Sequence, residues 1–398
     1  MPVNSALAYV GTLRKQGFDI KTATAEVYNS QARKRRSLLA INLWNFTTMP
    51  KSQRNLTIDM YRGIAVILVT SFHLFLWSNA NGVSSTFGFD LIGFAGNGWV
   101  GVGIFFVLSG YCMSMSTSRM LAKNFPVGTI KIYFIKRFLR ISPPYYFSMV
   151  FWFLLINYLG VTNKSTNAQD IITHITYTHN LSQDTFFSIS GVYWSLAVEM
   201  QFYFLLPFFF YLFKNRKLTT TLLIISFLSC VLTNLIASSV VVRWSLFNYL
   251  YLFILGWFVF QNKKVISNAL NRFRQLIFFA FVLVIFYKGN GYDNTFKVYE
   301  IITSTLFSLV LALSSTTRSY TTLPVQFLSF IGRCSFSIYL YNYIFWIFDR
   351  EKYTLFGTLF IFTFVIAFGM LMYWLVERKT EMLRVWLISK VWSGEKGA

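Results

Sequence analysis

Long apolar runs alternate with short polar stretches along almost the whole chain. About ten of these runs are long enough, or nearly so, to cross roughly 30 Å of hydrocarbon as helices that rise about 1.5 Å per residue. The runs cover residues 61–79, 98–118, 144–161, 193–213, 218–238, 244–260, 275–288, 298–314, 326–348 and 354–376. The pattern therefore predicts an all-α polytopic membrane protein with about ten transmembrane helices.

The predicted bundle divides the chain into three parts. Residues 1–56 form a cytoplasmic N-terminal extension, residues 57–380 the transmembrane domain, and residues 381–398 a cytoplasmic tail. The run at 38–48 is too short to span, and we expect it to lie in the membrane interface. We expect no cleavable signal peptide, because residues 1–36 contain no apolar core.

The positions of lysine and arginine set the predicted orientation. Most of the 36 lysines and arginines fall in alternate connections, which lie inside if the N-terminus is cytoplasmic. Cytoplasmic loops of membrane proteins carry an excess of these residues. An even number of spans then places both termini in the cytoplasm.

The composition agrees with a membrane protein and argues against nucleic-acid binding. The chain is 55% hydrophobic and only 13% charged, which is too apolar for a soluble domain of this length. The net charge of +22 falls mainly in short loops, so membrane lipids account for it and we expect no nucleic-acid partner. The 3 cysteines lie in apolar runs without metal-ligand spacing, so neither a disulfide framework nor a metal site is predicted.

Charged groups inside apolar runs are costly, so each one suggests a function. Arg62 and His73 share the first run, and at 100° per residue their spacing is within about 20° of three full turns. Both side chains therefore lie on one helix face, about 16 Å apart along the axis. Arg62 is expected near the cytoplasmic edge, and His73 further in, as a general base for a hydroxyl.

Glu199 is the only carboxylate that lies deep in any predicted span. Counting helical rise from the ends of the spans puts it at about the depth of His73. We therefore expect Glu199 beside the imidazole, where it would fix the tautomer and stabilise the imidazolium. A buried histidine alone is more often a satisfied core residue, but Arg62 and Glu199 favour the functional interpretation.

More cations follow the second run on the predicted cytoplasmic side. Arg137 and Arg140 are spaced i and i+3, so they can face the same way. Together with Arg62 they would suit the phosphates of a donor that enters from the cytosol. Ordinary positive-inside anchoring is the alternative. Arg333, near the cytoplasmic end of the ninth run, could equally contact phosphate or extend to the interface.

Two further groups of residues have both a functional and an ordinary interpretation. His174 and His179, in the long outer segment 162–192, could contact an acceptor, although loop histidines are usually solvated. The second run contains small residues that permit close helix contact or a kink, either for a tight site or as generic packing. These small residues are Gly101, Gly103, Ser109 and Gly110.

Five stretches in this order resemble the acyltransferase 3 family of integral membrane acyltransferases. They are IDMYRGIAVILVTSFH (58–73), VGIFFVLSGY (102–111), RFLR (137–140), WSLAVEMQFYFLLP (194–207), and IGRCSFSIYLYNY followed by VERK near the end of the last run. The resemblance covers about residues 58–380, so the transmembrane domain at 57–380 would be the acyltransferase domain.

The resemblance implies transfer of an acyl group, most often acetyl, from cytosolic acyl-CoA to a hydroxyl of a cell-surface or lipid-linked glycan. Such enzymes modify O-antigen and other glycans, which would place this chain in a bacterial inner membrane. Acetyl-CoA would be the donor substrate, with no bound cofactor. The implied roles are catalytic base for His73, support of the site for Glu199, and donor binding for Arg62, Arg137 and Arg140.

The resemblance also marks supporting residues, namely Asp59, Ser109, Gly110 and Asn342. Asp59 would pair with a neighbouring cation. Where many relatives have Tyr-Leu-Trp-His, residues 339–342 read Tyr-Leu-Tyr-Asn. Asparagine cannot exchange protons near neutral pH. A mechanism that needs a second histidine there is therefore in doubt, whereas one that uses His73 is not.

Two other functions use the same features. A proton-coupled transporter or flippase would use the intramembrane charges to relay protons or to bind an anion. The chain has no visible internal repeat, which argues against this alternative. A non-catalytic membrane scaffold would not depend on His73 at all.

Overall fold

A computed structural model describes most of the predicted transmembrane domain. The described residues are 55–77, 95–121, 128–162, 164–286, 296–315, 322–348 and 355–394. Within these ranges the chain is helical and contains no strand, which confirms the all-α prediction. The N-terminal extension up to residue 54 and the run at 38–48 lie outside the described residues.

The described α-helices follow the order of the apolar runs. They are α1 (Leu56–Trp77), α2 (Val100–Leu121), α3 (Gly128–Asn157), α4 (Ala168–Ile175), α5 (Tyr193–Phe213), α6 (Arg216–Ile236), α7 (Val240–Arg243), α8 (Leu246–Leu270), α9 (Arg274–Phe286), α10 (Phe296–Ser315), α11 (Leu323–Arg333), α12 (Ser335–Leu340), α13 (Leu355–Met372) and α14 (Arg378–Gly394). Short 3₁₀ segments lie at His179–Leu181, Asn271–Phe273 and Asn342–Ile347, and a π-helical segment at Tyr373–Glu377 joins α13 to α14.

The described helices support a multi-pass membrane protein. In this part of the chain, 7 helical segments are long and apolar enough to cross a membrane. One of them, Val240–Phe286, has 47 residues and covers two of the predicted runs. At about 1.5 Å per residue it would be roughly twice as long as the hydrocarbon is thick. The count of about ten spans and the cytoplasmic termini stay predictions.

Two helices differ from the runs that predicted them. The third run was expected to begin at 144, but α3 begins at Gly128 and passes through Pro143 and Pro144, so Arg137 lies on the same helix. The ninth run was expected to be one helix, but it breaks after Arg333, at the C-cap residue Cys334. Asn342, which follows this break, is fully buried.

Large apolar side chains cover the outside of the bundle. Phe208, Ile236 and Phe356 are 79%, 81% and 82% exposed. Such exposure is unfavourable in water and favourable against lipid tails, so the surface agrees with membrane insertion.

Close backbone contacts hold the helices around α1 and α2 together. A Cβ atom on Gly63 of α1 would lie 2.1 Å from the carbonyl oxygen of Leu328 in α11. A Cβ atom on Gly110 of α2 would lie 1.9 Å from the carbonyl oxygen of Phe253 in α8. Only glycine allows helices to approach so closely. The expectation that Gly110 permits close packing is therefore confirmed.

Candidate active site

Arg62 and His73 lie at opposite ends of α1, and α2 runs antiparallel beside them. The Arg62 guanidinium contacts the Sγ atom of Cys112, in the C-terminal half of α2, at 3.9 Å. Val102, near the start of α2, lines a cavity together with His73. The two predicted site residues therefore lie about 16 Å apart along α1, each with its own neighbours on α2.

His73 is held by an asparagine from the broken ninth run. Its Nδ1 atom lies 2.8 Å from Oδ1 of Asn342, and the Asn342 amide nitrogen donates to the hydroxyl of Thr70 at 2.7 Å. Thr70 and Asn342 are both fully buried. The ring of Tyr343 packs against the imidazole, with 4.8 Å between the ring centroids.

This arrangement favours the tautomer of neutral His73 that carries its proton on Nδ1. In the observed orientation, the amide nitrogen of Asn342 is used by Thr70, so its carbonyl oxygen faces the imidazole. A carbonyl oxygen only accepts hydrogen bonds, so the proton of the neutral ring lies on Nδ1. The other ring nitrogen, Nε2, then carries the free lone pair, and it is the nitrogen left to contact a ligand in the cavity. A neutral imidazole in this state can accept a proton from a hydroxyl.

The cavity beside His73 has a volume of about 380 Å³ and mostly aromatic walls. That volume lies in the range of roughly 300–1,000 Å³ that is typical of small-molecule sites. The aromatic lining consists of Phe72, Trp99, Phe187, Trp194, Trp244, Tyr249, Tyr339 and Tyr343. Flat aromatic faces with polar edges suit a ligand that has both C–H surface and hydroxyl groups, such as a sugar ring.

A buried ion pair at the start of α10 belongs to the same cavity. Glu300 lines it, and the Lys297 ammonium contacts the Glu300 carboxylate. The apolar runs predicted no role for either residue, because Lys297 lies just outside the run at 298–314 and Glu300 lies close to its edge. Their i, i+3 spacing at the entrance of an apolar run is a signal that could have found them.

Glu199 is not the partner of His73. Its carboxylate accepts hydrogen bonds from the hydroxyls of Ser109 and, at 2.6 Å, Tyr203. Ser109 lies three positions before Cys112, or about 4.5 Å along α2, but seven positions after Val102, or about 10 Å. Glu199 is therefore closer to the level of Arg62 than to that of His73, and the expected Glu199–His73 pair was wrong.

The cations come together near the C-terminal half of α2. Arg137 donates to the hydroxyl of Ser116 at 3.1 Å, and its guanidinium lies 5.4 Å from the ring centroid of Tyr203. Ser116 is one turn after Cys112, the contact of Arg62, so the two guanidinium groups approach the same face of α2. We call Arg62, Arg137 and Arg140 the arginine cluster.

The arginine cluster forms no direct ion pair among the described residues, although Arg140 interacts electrostatically with Glu381, Glu199 and Glu377. In that part of the chain the ion pairs are Lys297–Glu300 and Arg384–Glu381. Arg140, one turn after Arg137, is exposed. Guanidinium groups that are not held in a direct ion pair can bind a phosphate-bearing ligand. Arg333 is exposed beside the ring of Phe330.

The remaining supporting residues lie in close-packed regions. Asp59 is in the first turn of α1, and its carbonyl oxygen is in close contact with Gly332. Its pairing with a cation stays a prediction. Ser109 and Gly110 are neighbours in α2, where the first donates to Glu199 and the second permits contact with α8.

His174 and His179 are neither solvated nor part of the cavity lining. Both are fully buried, and their rings stack 3.9 Å apart at an angle of 6°. The expectation of exposed loop histidines was therefore wrong. Burial lowers the pKa of His174 to about 4, and burial together with the neighbouring His174 lowers the pKa of His179. The pair is a neutral packing element of the segment between α3 and α5.

Relatives of this chain are named as O-acetyltransferases. Residues 55–388 match a family model described as an acyltransferase domain. "Peptidoglycan O-acetyltransferase OatA" of Listeria monocytogenes serovar 1/2a is 30% identical over 42% of this chain and 26% of its own length. "O-acetyltransferase OatA" of Staphylococcus aureus (strain NCTC 8325 / PS 47) is 29% identical over 74% of this chain and 51% of its own length. No solved structure gives a significant match.

The chain thus spans at most about half the length of these curated relatives. The family match, in contrast, covers all of the described helices except the end of α14. It also contains the His73 cavity and the arginine cluster. The chain therefore belongs to the acyltransferase 3 family.

Proposed function

We propose that the chain is a membrane O-acyltransferase that moves an acyl group, in the first instance acetyl, from acetyl-CoA to a hydroxyl of a cell-surface glycan. The observation that carries this proposal is the His73–Asn342–Thr70 chain beside an aromatic cavity. It supplies a base whose free lone pair is set by hydrogen bonding. Acyl transfer to a hydroxyl needs such a base.

The other end of α1 suits the donor. The arginine cluster offers guanidinium groups to the phosphates of CoA, and the predicted orientation puts this end on the cytosolic side. The length of an extended pantetheine arm is similar to the distance of roughly 16 Å along α1 between Arg62 and His73. The thioester at the end of the arm can therefore reach toward the imidazole. Glu199, which holds Tyr203 and Ser109 between these levels, is a positioning residue for the donor in this proposal.

The chemistry balances without a metal or a redox partner. The acceptor hydroxyl attacks the thioester carbon while Nε2 of His73 takes the hydroxyl proton. An ester C–O bond forms, the C–S bond breaks, and the thiolate of CoA leaves. The imidazolium then returns the proton to the thiolate, so that the products are an acylated glycan and free CoA.

The acceptor enters from the predicted outer side. The cavity is bordered by Phe187 and Gly191, in the segment that joins α3 to α5. The name of the Listeria monocytogenes relative refers to peptidoglycan, so a peptidoglycan-type glycan is the first acceptor to test, ahead of the O-antigen that the family resemblance suggested. The bacterial inner membrane is the compartment in which cytosolic acetyl-CoA and an external glycan are both accessible.

Purified protein in lipid nanodiscs, with radiolabelled acetyl-CoA and a β-linked N-acetylglucosamine trisaccharide, tests the proposal. We expect release of the CoA thiol together with acetylated trisaccharide, and a loss of about 10²- to 10⁴-fold in kcat for His73→Gln. Ser71→Ala is the matched control, because the Ser71 hydroxyl donates only to a carbonyl of its own helix. Full turnover by His73→Gln would refute the proposal. Movement of the trisaccharide across the membrane of proteoliposomes without CoA release would also refute it and would favour the transporter.

A further inference from the structure

The Lys297–Glu300 pair is placed as a recognition group and not as a packing element. Lys297 is 8% exposed and Glu300 is 2% exposed, so both charges are almost removed from solvent. A buried ion pair rarely makes a protein more stable than an apolar pair of the same size would. Intramembrane charges at a cavity wall instead mark binding sites.

The contacts of the pair fix the carboxylate firmly. Oε2 of Glu300 receives the Lys297 ammonium and, at 3.4 Å, the hydroxyl of Tyr251. The ammonium also lies 4.1 Å from the ring centroid of Tyr249, which is another cavity residue. These neighbours hold the Glu300 carboxylate in one orientation.

Glu300 lines the cavity, and neither Lys297 nor Tyr251 uses its second carboxylate oxygen. Oε1 of Glu300 receives no hydrogen bond from the residues that the structure describes, and it is not among their fully enclosed unpartnered atoms. Glu300 is the only Asp, Glu, Lys or Arg side chain in the cavity lining that the structure describes. A fixed carboxylate accepts hydrogen bonds from hydroxyl and amide N–H groups and repels another carboxylate.

We infer that Glu300, held by Lys297 and Tyr251, determines acceptor specificity: it binds sugar rings that present hydroxyl or amide N–H donors and rejects rings that present a carboxylate at that wall. This inference rests on the proposed function, since it concerns the acceptor for the same reaction. Glu300 does not contact His73, so it acts on acceptor binding and not on proton transfer.

The test compares two trisaccharides that differ in charge. The acceptor is the β-linked N-acetylglucosamine trimer, and the competitor is the same trimer with its primary alcohols oxidised to carboxylates. For Glu300→Gln we expect the KM for the neutral trimer to rise about tenfold or more, because a charge-assisted hydrogen bond is lost. We expect the oxidised trimer to inhibit the unaltered protein only weakly. In Glu300→Gln its affinity should rise at least tenfold relative to the affinity for the neutral trimer. The KM for acetyl-CoA should not change.

Two further variants keep the result interpretable. Glu300→Gln leaves Lys297 buried without its partner, so the double variant Lys297→Gln/Glu300→Gln removes both charges and should show the same loss of discrimination. Glu381→Gln is the matched control, because Glu381 has an i+3 partner in Arg384 but lies on α14, outside the cavity lining. It should discriminate between the two trimers as the unaltered protein does; its KM for acetyl-CoA is left out of the comparison, because Glu381 interacts electrostatically with Arg140 of the arginine cluster.

The possible failures are distinct. The neutral trimer could be acylated while the ratio of the affinities for the two trimers is the same with and without the Glu300 carboxylate. That result would overturn the inference and leave the proposed function standing. If the neutral trimer neither reacts nor stimulates CoA release, the result counts against both.

Discussion

The hydrogen bond between His73 and Asn342 gives the sharpest prediction about the proposed reaction. Asn342→Leu keeps a side chain of similar size but removes the acceptor for the Nδ1 proton of His73. The proton can then move to Nε2, which leaves the cavity edge of the ring without a lone pair. Loss of one buried hydrogen-bond acceptor costs about 1–3 kcal/mol.

That energy translates directly into the rate. The lost hydrogen bond no longer stabilises the active tautomer or the imidazolium that forms during the reaction. A loss of about 1–3 kcal/mol then lowers kcat by about 5- to 150-fold, since 1.4 kcal/mol corresponds to about a factor of ten. The KM for acetyl-CoA should stay the same, because the arginine cluster lies about 16 Å away along α1. Thr70→Val, which removes only the outer hydrogen bond of the chain, should lower kcat less than Asn342→Leu does.

The assay is the release of CoA thiol at saturating acetyl-CoA and trisaccharide. Tyr341→Phe is the matched control, since the Tyr341 hydroxyl is buried without a hydrogen-bond partner in the described part of the chain, and its removal breaks no contact. It should keep the full kcat. An Asn342→Leu protein that elutes as the unaltered protein does on size exclusion and has its full kcat would refute the assigned tautomer.

Three more predictions concern the donor end, the helix packing and the outer segment. Arg62→Gln should raise the KM for acetyl-CoA about tenfold while the KM for the acceptor stays unchanged, and steady-state kinetics checks this. Gly110→Ala should lower the thermal unfolding midpoint more than Gly103→Ala, because the new Cβ meets a backbone carbonyl in the first case and the movable hydroxyl of a serine in the second. Burial lowers the pKa of His174 to about 4, so between about pH 6.5 and 4 the unfolded state binds the proton more tightly than the folded state does. The folded protein is therefore expected to lose stability as the pH falls through this range, and to lose none of it above about pH 6.5. His174→Asn should make melting curves between pH 4 and 6.5 less dependent on pH.

The fold and one axis of the site could be predicted from the sequence. Apolar run length predicted the helices, and the 3.6-residue period placed Arg62 and His73 on one helix, with their separation. Glycine in an apolar run predicted the close approach at Gly110, which the structure confirms. All of these are properties of a single helix, which local sequence encodes.

The partners of those residues could not be predicted in the same way. The Glu199–His73 pair was inferred from depths counted from span ends, but that count says nothing about how far two helices are displaced along their axes. Gly191, before the start of α5, is already in contact with Tyr343 at the level of His73. Glu199 is therefore about 9 Å further along α5 than its first residue, next to the arginine cluster. The bond to Asn342 joins residues 269 positions apart across a broken helix, and no local pattern encodes such a break.

The asparagine at position 342 also has a physical advantage that the sequence pattern alone does not reveal. A histidine there could act as donor or acceptor, and its protonation would change the tautomer of His73 with pH. The carbonyl oxygen of Asn342 only accepts and never titrates, and its amide nitrogen is committed to Thr70. The departure from the family pattern therefore removes a second proton acceptor but gives the Nδ1 proton of neutral His73 a hydrogen-bond partner that does not titrate. A single base is sufficient for acyl transfer from a thioester, because the base can pass the proton of the acceptor hydroxyl to the thiolate that leaves.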